Sequence, residues 1–488
     1  MKSSTPRVLI IGAGISGLCM AIRLKQTQAA SFTVLEKSDE VGGTWLDNSY
    51  PGSACDVPSF LYSFSFAPKT WARKYAKQSE ILDYLRDCAD QFGVRDQIRF
   101  GAEVANAEYD EKTATWCVTL TSGEQLEADF LIGAVGQLNR PKIPPFKGLD
   151  SFEGETFHSA RWNHDYDLTG RAVAVIGTAA SAIQFVPLVA QQAGRLCIFQ
   201  RSPNWIMPVN RAVYSRFMQG VFRWVPGVAR LNRLSLFLQH EWKIILLKKR
   251  SNWNRGLTAW IKRRMRREIP PSLHADLIPS YPAGCKRILL SNDYLDVVQQ
   301  DHVDLVTERI QEIRSNSIAT KEAEYPVDAI IFATGFETAE EICPLQIRGR
   351  DGVFLKDQWT PRPRTYLGML TPGFPNFFTL YGPNTNLGHN SIILMVESQV
   401  NYFVRCLRMM ADRQMASIEV RPEAVETFDE DLQKGLSKSV WGDPCDNWYK
   451  AEDGTITNNW KSSVLSYWWR TRSPDFRQFN VETASADE

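Results

Sequence analysis

The chain has 488 residues, a length that predicts two or three domains and excludes a single small module. Its hydrophobic content of 44% with 23% charged residues is typical of globular proteins and excludes a mainly disordered chain. Lys and Arg number 56 and Asp and Glu 55, so the formal net charge of +1 provides no overall field that would attract nucleic acid.

The nine cysteines are scattered, and no two of them form a Cys-x-x-Cys pair. This pattern predicts neither a disulfide framework nor a zinc site and favours a reducing, cytoplasmic setting. The histidines likewise lack the spacing of metal ligands, so we expect no catalytic metal. No apolar run reaches the roughly 18–20 residues needed to cross a bilayer. We therefore expect a cytoplasmic protein and leave open peripheral contact with a membrane.

An apolar strand, a glycine-rich turn and a helix open the chain. The turn reads Gly12-x-Gly14-x-x-Gly17 and follows the apolar run 8–11. Gly12 permits the tight turn, Gly14 lets the backbone approach a pyrophosphate, and Gly17 allows the helix and strand to pack closely. Glu36 ends the next predicted strand, 24 residues after Gly12, where its carboxylate can accept hydrogen bonds from a ribose. The complete pattern predicts a dinucleotide site, which the glycine turn alone would indicate only weakly.

The same pattern returns 165 residues later along the chain. In this second copy Gly177 opens the turn, and Arg201 takes the place of Glu36. A guanidinium binds a 2′-phosphate bidentately, where a carboxylate would repel it, so this site is predicted to prefer NADPH to NADH. Ala179 stands where a glycine is usual, and its methyl group predicts weaker NADPH binding than an all-glycine turn gives. The alternative is that Arg201 is a solvated residue at a strand end.

Two dinucleotide sites in one chain, the first acidic and the second basic, predict one bound FAD and one exchanging NADPH. The reaction class is then flavin-dependent oxidoreduction, because hydride transfer needs a donor and an electron acceptor held face to face. The predicted fold class is α/β, with two Rossmann-like dinucleotide-binding domains, for FAD and NADPH, and a helical insertion.

Three further motifs follow the first turn and precede the second. They read Gly42-Gly43-Thr44-Trp45, Tyr50-Pro51-Gly52 and Phe152-x-Gly154-x-x-x-His158-x-x-x-Trp162. This combination resembles the class B flavoprotein monooxygenases, and specifically the type I Baeyer–Villiger monooxygenases. Trp162 favours this branch over the sister flavin-containing monooxygenases, which carry Tyr or Phe there, whereas Asn163 departs from the Pro or Asp of the family. The resemblance covers most of the chain, and only the helical insertion and the tail match loosely.

The resemblance implies a reaction. In this family NADPH reduces FAD, O2 then gives a C4a-peroxyflavin, and oxygen is inserted next to the carbonyl of a ketone to form an ester or lactone. The implied partners are O2 and a small hydrophobic ketone or similar substrate. Two alternatives remain open: a related flavin monooxygenase that oxygenates sulfur, nitrogen or a long alkyl chain, and a non-catalytic FAD- and NADPH-binding docking protein.

The resemblance also implies catalytic roles for two residues. Arg287 is expected to be the catalytic cation and Asp56 the carboxylate that holds it. Arginine suits this role because it stabilises an anionic peroxide without releasing a proton to it. The alternative is that Asp56 and Arg287 are unrelated loop residues on a solvated face.

Further residues are expected to bind the cofactors or to respond to them. Lys286 is expected to assist Arg201 on the 2′-phosphate. The expected cofactor-binding residues are Gly12, Gly14, Gly17, Glu36, Gly43, Thr44, Trp45, Asp56, Tyr62, Gln137, Gly177, Thr178, Ser181, Arg201, Ser202, Lys286 and Asn384. The linker signature, formed by Phe152, Gly154, His158 and Trp162, is expected to act through hinge geometry rather than through proton transfer.

The domain boundaries are predicted from these motifs. Apolar runs that end in small-residue turns at 130–136 and 329–335 are interpreted as returns from one domain to the next. The predicted divisions are 1–150 for the first part of the FAD-binding domain, 151–168 for the linker, 169–208 and 281–328 for the NADPH-binding domain, 209–280 for the helical, basic insertion, and 329–488 for the second part of the FAD-binding domain with the C-terminal segment.

The insertion has an unusual composition. Residues 211–268 contain fifteen Lys and Arg against two acidic residues, a formal charge of +13, with tryptophans interleaved. Such helices are found packed on a larger domain with a basic face in solvent, and also lying on membrane surfaces. We favour the packed arrangement and leave open peripheral membrane contact through residues 209–280. Nucleic-acid binding is not expected, because no recognised module surrounds the charge.

Overall fold

The computed structural model describes residues 5–337, 345–445, 447–451 and 453–483. The strands are β1 (Arg7–Ile11), β2 (Ser31–Leu35), β3 (Ile98–Arg99), β4 (Val104–Asp110), β5 (Thr115–Leu120), β6 (Gln125–Ala128), β7 (Phe130–Gly133), β8 (Glu155–His158), β9 (Ala172–Ile176), β10 (Arg195–Phe199), β11 (Ile206–Met207), β12 (Leu289–Leu290), β13 (Val303–Val306), β14 (Glu312–Ile313), β15 (Ser317–Ala319), β16 (Glu324–Pro326), β17 (Ala329–Phe332), β18 (Gln346–Arg348), β19 (Phe377–Thr379), β20 (Met415–Val420) and β21 (Phe479–Thr483). The helices are α1 (Ile15–Thr27), α2 (Thr44–Asp47), α3 (Gln78–Gln91), α4 (Ala182–Val189), α5 (Arg216–Trp224), α6 (Val228–Trp242), α7 (Asn252–Glu268), α8 (His274–Leu277), α9 (Tyr294–Val297), α10 (Leu355–Gln358), α11 (Ile392–Asp412), α12 (Pro422–Leu436) and α13 (Val464–Thr471).

The first sheet is parallel, with strand order β19-β7-β1-β2-β3. Its central strand, β1, is buried along almost its whole length, as a continuous apolar run predicts for a strand covered on both faces. Helix α1 crosses from β1 to β2 and packs against the long C-terminal helix α11. The first and last parts of the chain therefore build one domain around this sheet.

The second sheet is also parallel, with strand order β13-β10-β9-β17-β8. The two glycine turns have the same geometry: φ is +103° at Gly12 and +107° at Gly177. A Cβ added at Gly12 would lie 2.7 Å from the Ala134 carbonyl oxygen, and one at Gly177 would lie 2.4 Å from that of Ala333. The predicted α/β fold with two Rossmann-like units is confirmed.

Two predicted domain boundaries need correction. Strand β17, at residues 329–332, pairs with β9 and β8 in the second sheet, so the return to the first domain comes after it and not at residue 329. Strand β8 lies inside the predicted linker, at residues 155–158, and forms the edge of the same sheet. Local sequence could not decide either boundary, because β7 and β17 are both short apolar runs and only their pairing assigns them to different sheets.

The insertion is connected to the second domain by strands β11 and β12, which pair in parallel. It is helical as predicted, and Pro226 and Gly227 separate α5 from α6. The inner face of α6 is packed, with Leu236 buried in the main core. The outer face is not: Leu231, Leu234, Leu238 and Trp242 are 52–67% exposed. The favoured expectation of packed apolar faces is therefore wrong for this stripe of α6.

The cysteines depart from expectation at one pair. Cys285 and Cys445 form a disulfide, with a Cα–Cα distance of 6.5 Å, although 160 residues separate them along the chain. The sequence did not predict this pair, because the fold, and not the spacing of the cysteines along the chain, brings the two residues together. Cys343 lies outside the described residues.

The described residues include neither a membrane-spanning helix nor a metal-binding cluster. Among these residues no helix has both the length and the apolar character to span a membrane. Within the same part of the chain, no group of three or more His, Cys, Asp and Glu side chains is placed to hold a metal ion.

Candidate active site

A cavity of about 1610 Å³ lies where the two glycine turns face each other, at the carboxyl ends of strands from both sheets. This is the position at which open parallel sheets bind ligands. Most of the residues predicted from the sequence line it: Gly12, Gly14, Glu36, Gly43, Thr44, Trp45, Asp56, Tyr62, Gln137, Gly177, Thr178, Ser181, Arg201, Ser202, Lys286 and Arg287.

The first turn is held by Glu36, which is buried at the end of β2. Its two carboxylate oxygens accept hydrogen bonds from the backbone amides of Ala13 (2.6 Å) and Ser38 (2.9 Å). Each oxygen has a second lone pair, so the same carboxylate can still accept a hydrogen bond from a ribose hydroxyl. Gly14 and Gly43 approach each other across the turn, and a Cβ added at Gly43 would lie 3.1 Å from the Gly14 Cα. No side chain of Gly14 or Gly43 therefore covers the backbone where α1 begins.

The cavity wall has a glycine at equivalent points of the two dinucleotide-binding units. Gly136 and Gly335 follow the matched strands β7 and β17, both have positive φ, and both line the cavity. A Cβ added at either glycine would meet no protein atom within 4 Å. Bare backbone therefore faces the cavity at equivalent points of the two units, beside the two glycine turns. The residues present fit a pair of dinucleotide cofactors.

The second turn lies beside a basic cluster. Lys286 Nζ donates a hydrogen bond to Ser202 Oγ at 2.8 Å and lies 5.2 Å from the centre of the Tyr281 ring. Ser202 directly follows Arg201, so the structure brings together the two cations that were predicted to share a phosphate. Asn204 Nδ2 donates to the carbonyl of Thr178, and this hydrogen bond ties the segment after β10 to the second glycine turn.

Arg287 and Asp56 form an ion pair in the cavity wall, although 231 residues separate them. Arg287 Nε lies 2.8 Å from Asp56 Oδ2, and one terminal nitrogen lies 2.6 Å from each carboxylate oxygen. The negative charge of Asp56 raises the pKa of the Arg287 guanidinium above its ordinary value. Because 43% of the Arg287 side chain is still accessible, a permanent cation is available to a molecule in the cavity.

The Tyr50-Pro51-Gly52 motif docks the first domain on the second. Tyr50 OH donates to Gln184 Oε1 on α4 at 2.9 Å, and Gln184 Nε2 donates to the Ala54 carbonyl at 3.0 Å. Gly52 has a φ of +82°, and a Cβ there would lie 2.6 Å from the Gln184 carbonyl oxygen. Sequence reasoning missed Gln184, and the glycine of the motif was its only local signal.

The residues of the linker signature pack against the second domain and do not line the cavity. A Cβ on Gly154 would lie 2.6 Å from the Phe152 ring and 2.4 Å from the Asp328 carbonyl oxygen, which explains the glycine. The Trp162 ring makes edge contacts with Phe157 and Phe185, with centroids 5.1 and 5.2 Å away.

His158 is the titratable member of the signature. Its side chain is buried, and Nδ1 accepts a hydrogen bond from the backbone amide of Ala160 at 3.1 Å. Burial lowers the pKa of His158 to about 4. The ring is therefore neutral at neutral pH. Asn163, which departs from the family pattern, donates from Nδ2 to Glu155 Oε1 at 2.8 Å.

Asn384 is a correction to the predicted site. It does not line the cavity, and its Nδ2 donates to the carbonyls of Ile456 (2.8 Å) and Asn459 (3.2 Å). The side chain therefore anchors the segment at 456–459 instead of facing a cofactor. Gly17 also lies outside the cavity wall, in keeping with its predicted packing role, since a Cβ there would lie 1.8 Å from the Gly12 carbonyl oxygen.

The C-terminal part of the chain supplies wall residues that sequence reasoning missed. Asn390, Asn447 and Trp448 line the cavity, and Asn447 Nδ2 donates to the Cys285 carbonyl at 3.2 Å. Gln137 ties this part to the N-terminal part of the same domain, because its Nε2 donates to the Tyr381 carbonyl at 3.0 Å. No spacing in the sequence marks these residues.

Comparisons with known proteins agree with this geometry. A family model described as flavin-binding monooxygenase-like matches residues 5–342. A Baeyer–Villiger monooxygenase of Streptomyces coelicolor is 41% identical over 483 residues, covering 97% of this chain and 92% of the relative. One of Pseudomonas aeruginosa is 40% identical over 482 residues, covering 98% and 92%. The FAD-binding monooxygenase ktnD of Aspergillus niger is 41% identical over 480 residues, covering 94% and 79%.

Solved structures agree as well. The complex of OTEMO with FAD and NADP superimposes with a TM-score of 0.89 at 29% identity and covers 98% of this chain and 100% of that one. Oxidized steroid monooxygenase bound to NADP superimposes with a TM-score of 0.88 at 31% identity and covers 99% and 100%. The chain therefore belongs to the flavin-binding monooxygenase-like family and is, as its sequence predicted, a flavin-dependent monooxygenase of the Baeyer–Villiger type.

Proposed function

We propose that the protein binds FAD at the first glycine turn and NADPH at the second, and uses O2 to convert a hydrophobic ketone into an ester or lactone. The observation that carries this proposal is the Arg287–Asp56 ion pair in the wall of a cavity shared by both turns. Bound flavin, once reduced by NADPH, supplies the activation of O2 for attack on a carbonyl carbon.

Arg287 provides a fixed positive charge beside the reacting atoms. Negative charge builds up on oxygen during its transfer, and a fixed cation beside that oxygen stabilises the charge. Arginine keeps its proton, and Asp56 raises its pKa further, so the group acts by charge and hydrogen bonding and not as an acid. Asp56 also fixes the orientation of the guanidinium through three short contacts.

Arg201 and Lys286 are proposed to select NADPH. Both line the cavity, and Arg201 takes in the second unit the position that Glu36 has in the first. The 2′-phosphate is the part of NADPH that NADH lacks, and a planar guanidinium with an adjacent ammonium can bind it through several charged hydrogen bonds. Glu36 has the opposite charge and suits a free ribose hydroxyl at the FAD end.

The substrate is proposed to be a hydrophobic ketone. Val57 and Leu289 lie close in sequence to Asp56 and Arg287, and both line the cavity, as does Trp448. Apolar side chains beside the Arg287–Asp56 ion pair favour a ligand with an apolar body and one polar atom, such as a carbonyl oxygen.

A product screen tests the proposed function. Purified protein with FAD and an NADPH supply is incubated with linear, cyclic and aryl ketones under isotopically labelled O2, and products are identified by mass spectrometry. We expect one labelled oxygen in an ester or lactone. Labelled sulfoxides, N-oxides or alcohols formed in its place from matched substrates would assign the related monooxygenase activity, and NADPH oxidation without any oxygenated product would refute the proposal.

A further inference from the structure

The outer face of α6 is an apolar stripe with nothing packed on it in the described chain. Leu231, Leu234, Leu238 and Trp242 recur at helical spacing on one side of the helix, each 52–67% exposed. An isolated exposed leucine would need no explanation, but a contiguous row is typical of an interaction surface.

Neighbouring helices extend this stripe. Trp253 on α7 meets Trp242 edge to face, with ring centroids 5.6 Å apart, and Trp260 is exposed two turns further along α7. Eleven of the seventeen exposed large apolar side chains in the described residues lie between 213 and 260. We call these eleven side chains, carried by α5, α6 and α7 and by the segments next to α5, the insertion face. The apolar surface is therefore concentrated in one part of the molecule.

The insertion face is held rigidly from behind. On the inner side of α6, Arg233 donates to the carbonyls of Phe60 and Ser63, and Leu236 is buried in the main core. On α7, Ile261 and Met265 are buried against the second domain. The outer side chains cannot turn inward without breaking these contacts, so the fold presents them to the surroundings.

The charge around the insertion face has one sign. Residues 211–268 carry a formal charge of +13, and the exposed basic side chains include Arg230, Lys243 and Arg263. Both acidic residues of the segment are engaged within the protein. Glu241 accepts hydrogen bonds from the Leu465 amide (3.0 Å) and from Asn390 Nδ2 (3.1 Å), and Glu268 pairs with Arg264 at 2.7 Å.

We propose that the insertion face docks the protein on an anionic lipid membrane. Apolar side chains enter the interfacial layer, tryptophan rings lie at the level of the headgroups, and lysine and arginine contact the phosphates. Charge complementarity selects this occupant over a second copy of the chain, because two such faces would bring strongly positive surfaces together. The proposal goes beyond the oxygenation reaction and does not depend on it.

Vesicle co-sedimentation of the full-length, FAD-loaded protein tests the proposal. The vesicles are phosphatidylcholine alone or mixed with phosphatidylglycerol, at low and at high salt. The stripe variant L231Q/L234Q/L238Q alters only exposed side chains, and the control variant I143Q/V353Q alters exposed apolar side chains outside the insertion face. Circular dichroism and flavin content establish that each variant is folded.

We expect the unaltered protein and the control to sediment with anionic vesicles at low salt and to be released by high salt. The stripe variant should bind at least about tenfold more weakly, because it lacks three leucines that would enter the interfacial layer of the membrane. Failure of the unaltered protein to sediment at low salt would overturn the proposal. Equal vesicle binding by the stripe variant and the unaltered protein would also overturn the proposal. A third contradicting result is that neither protein binds vesicles while the unaltered protein forms a dimer in solution and the stripe variant does not.

Discussion

Replacement of Arg201 by Ala removes the cation that distinguishes the second nucleotide site from the first. Arg201 lies at the end of β10 in the cavity wall, and the adjacent Ser202 accepts a hydrogen bond from Lys286 at 2.8 Å. The variant keeps this second cation and both glycine turns. We therefore expect NADPH to bind in the same place with a weaker hold on its 2′-phosphate.

The size of the effect follows from the contact that is lost. A hydrogen bond to a charged group contributes about 1.5–3 kcal/mol, which corresponds to a roughly 10- to 150-fold increase in KM for NADPH. NADH has no 2′-phosphate, so its KM should change by less than about twofold. The preference of the enzyme for NADPH should therefore fall by about the same factor by which the KM for NADPH rises.

Steady-state oxidation of NADPH and NADH, followed by absorbance, measures both constants. Arg195→Ala is the matched control, because Arg195 lies at the other end of β10, is half exposed and pairs with Asp304 at 2.8 Å, away from the cavity. The control should leave both KM values unchanged. An unchanged KM for NADPH in Arg201→Ala, or equal increases for the two coenzymes, would refute the assignment.

Three other changes test separate parts of the structure. Asp56→Ala should slow ketone oxygenation by about 10- to 100-fold with FAD content unchanged, because it releases the arginine without removing it; steady-state product formation measures this. Gly52→Ala should lower the free energy of unfolding in urea by about 1–3 kcal/mol more than Gly454→Ala does. Both glycines have a φ of +82°, but only a Cβ at position 52 would meet protein atoms within 4 Å, the nearest being the Gln184 carbonyl oxygen at 2.6 Å. Burial lowers the pKa of His158 to about 4. Between pH 6.5 and pH 4 this histidine therefore binds a proton in the unfolded chain but not in the folded chain. Stability should therefore fall from pH 6.5 towards pH 4, and His158→Gln should flatten that slope in urea titrations at several pH values.

The parts of the site that could be predicted from the sequence are encoded locally. A glycine turn is recognised from residues that lie within a few positions of one another. Glu36 and Arg201 follow their turns at a fixed spacing, which is set by one strand–helix–strand unit. The repeat of this unit predicted two Rossmann-like dinucleotide-binding domains. The roles of Arg287 and Asp56 came from family resemblance, because no local pattern joins residues so far apart.

The parts that could not be predicted depend on tertiary pairing. Strand β17 resembles β7 in composition, and only hydrogen bonding to β9 assigns it to the second sheet. Asn384 was expected to bind a cofactor, yet the fold directs its amide to the carbonyls of Ile456 and Asn459. The insertion was correctly predicted to be helical, but its sequence could not tell which of the two apolar faces of α6 is covered.

The most direct test of the proposed mechanism is the fate of oxygen in Arg287→Ala. The FAD-loaded variant is mixed with NADPH, a ketone that the unaltered enzyme converts, and isotopically labelled O2, and both ester and hydrogen peroxide are quantified. Removal of the cation should leave FAD bound and NADPH oxidised while labelled ester disappears and hydrogen peroxide is released, and Arg287→Lys should also lose most of the ester. Formation of labelled ester by Arg287→Ala at the rate of the unaltered enzyme would contradict the account.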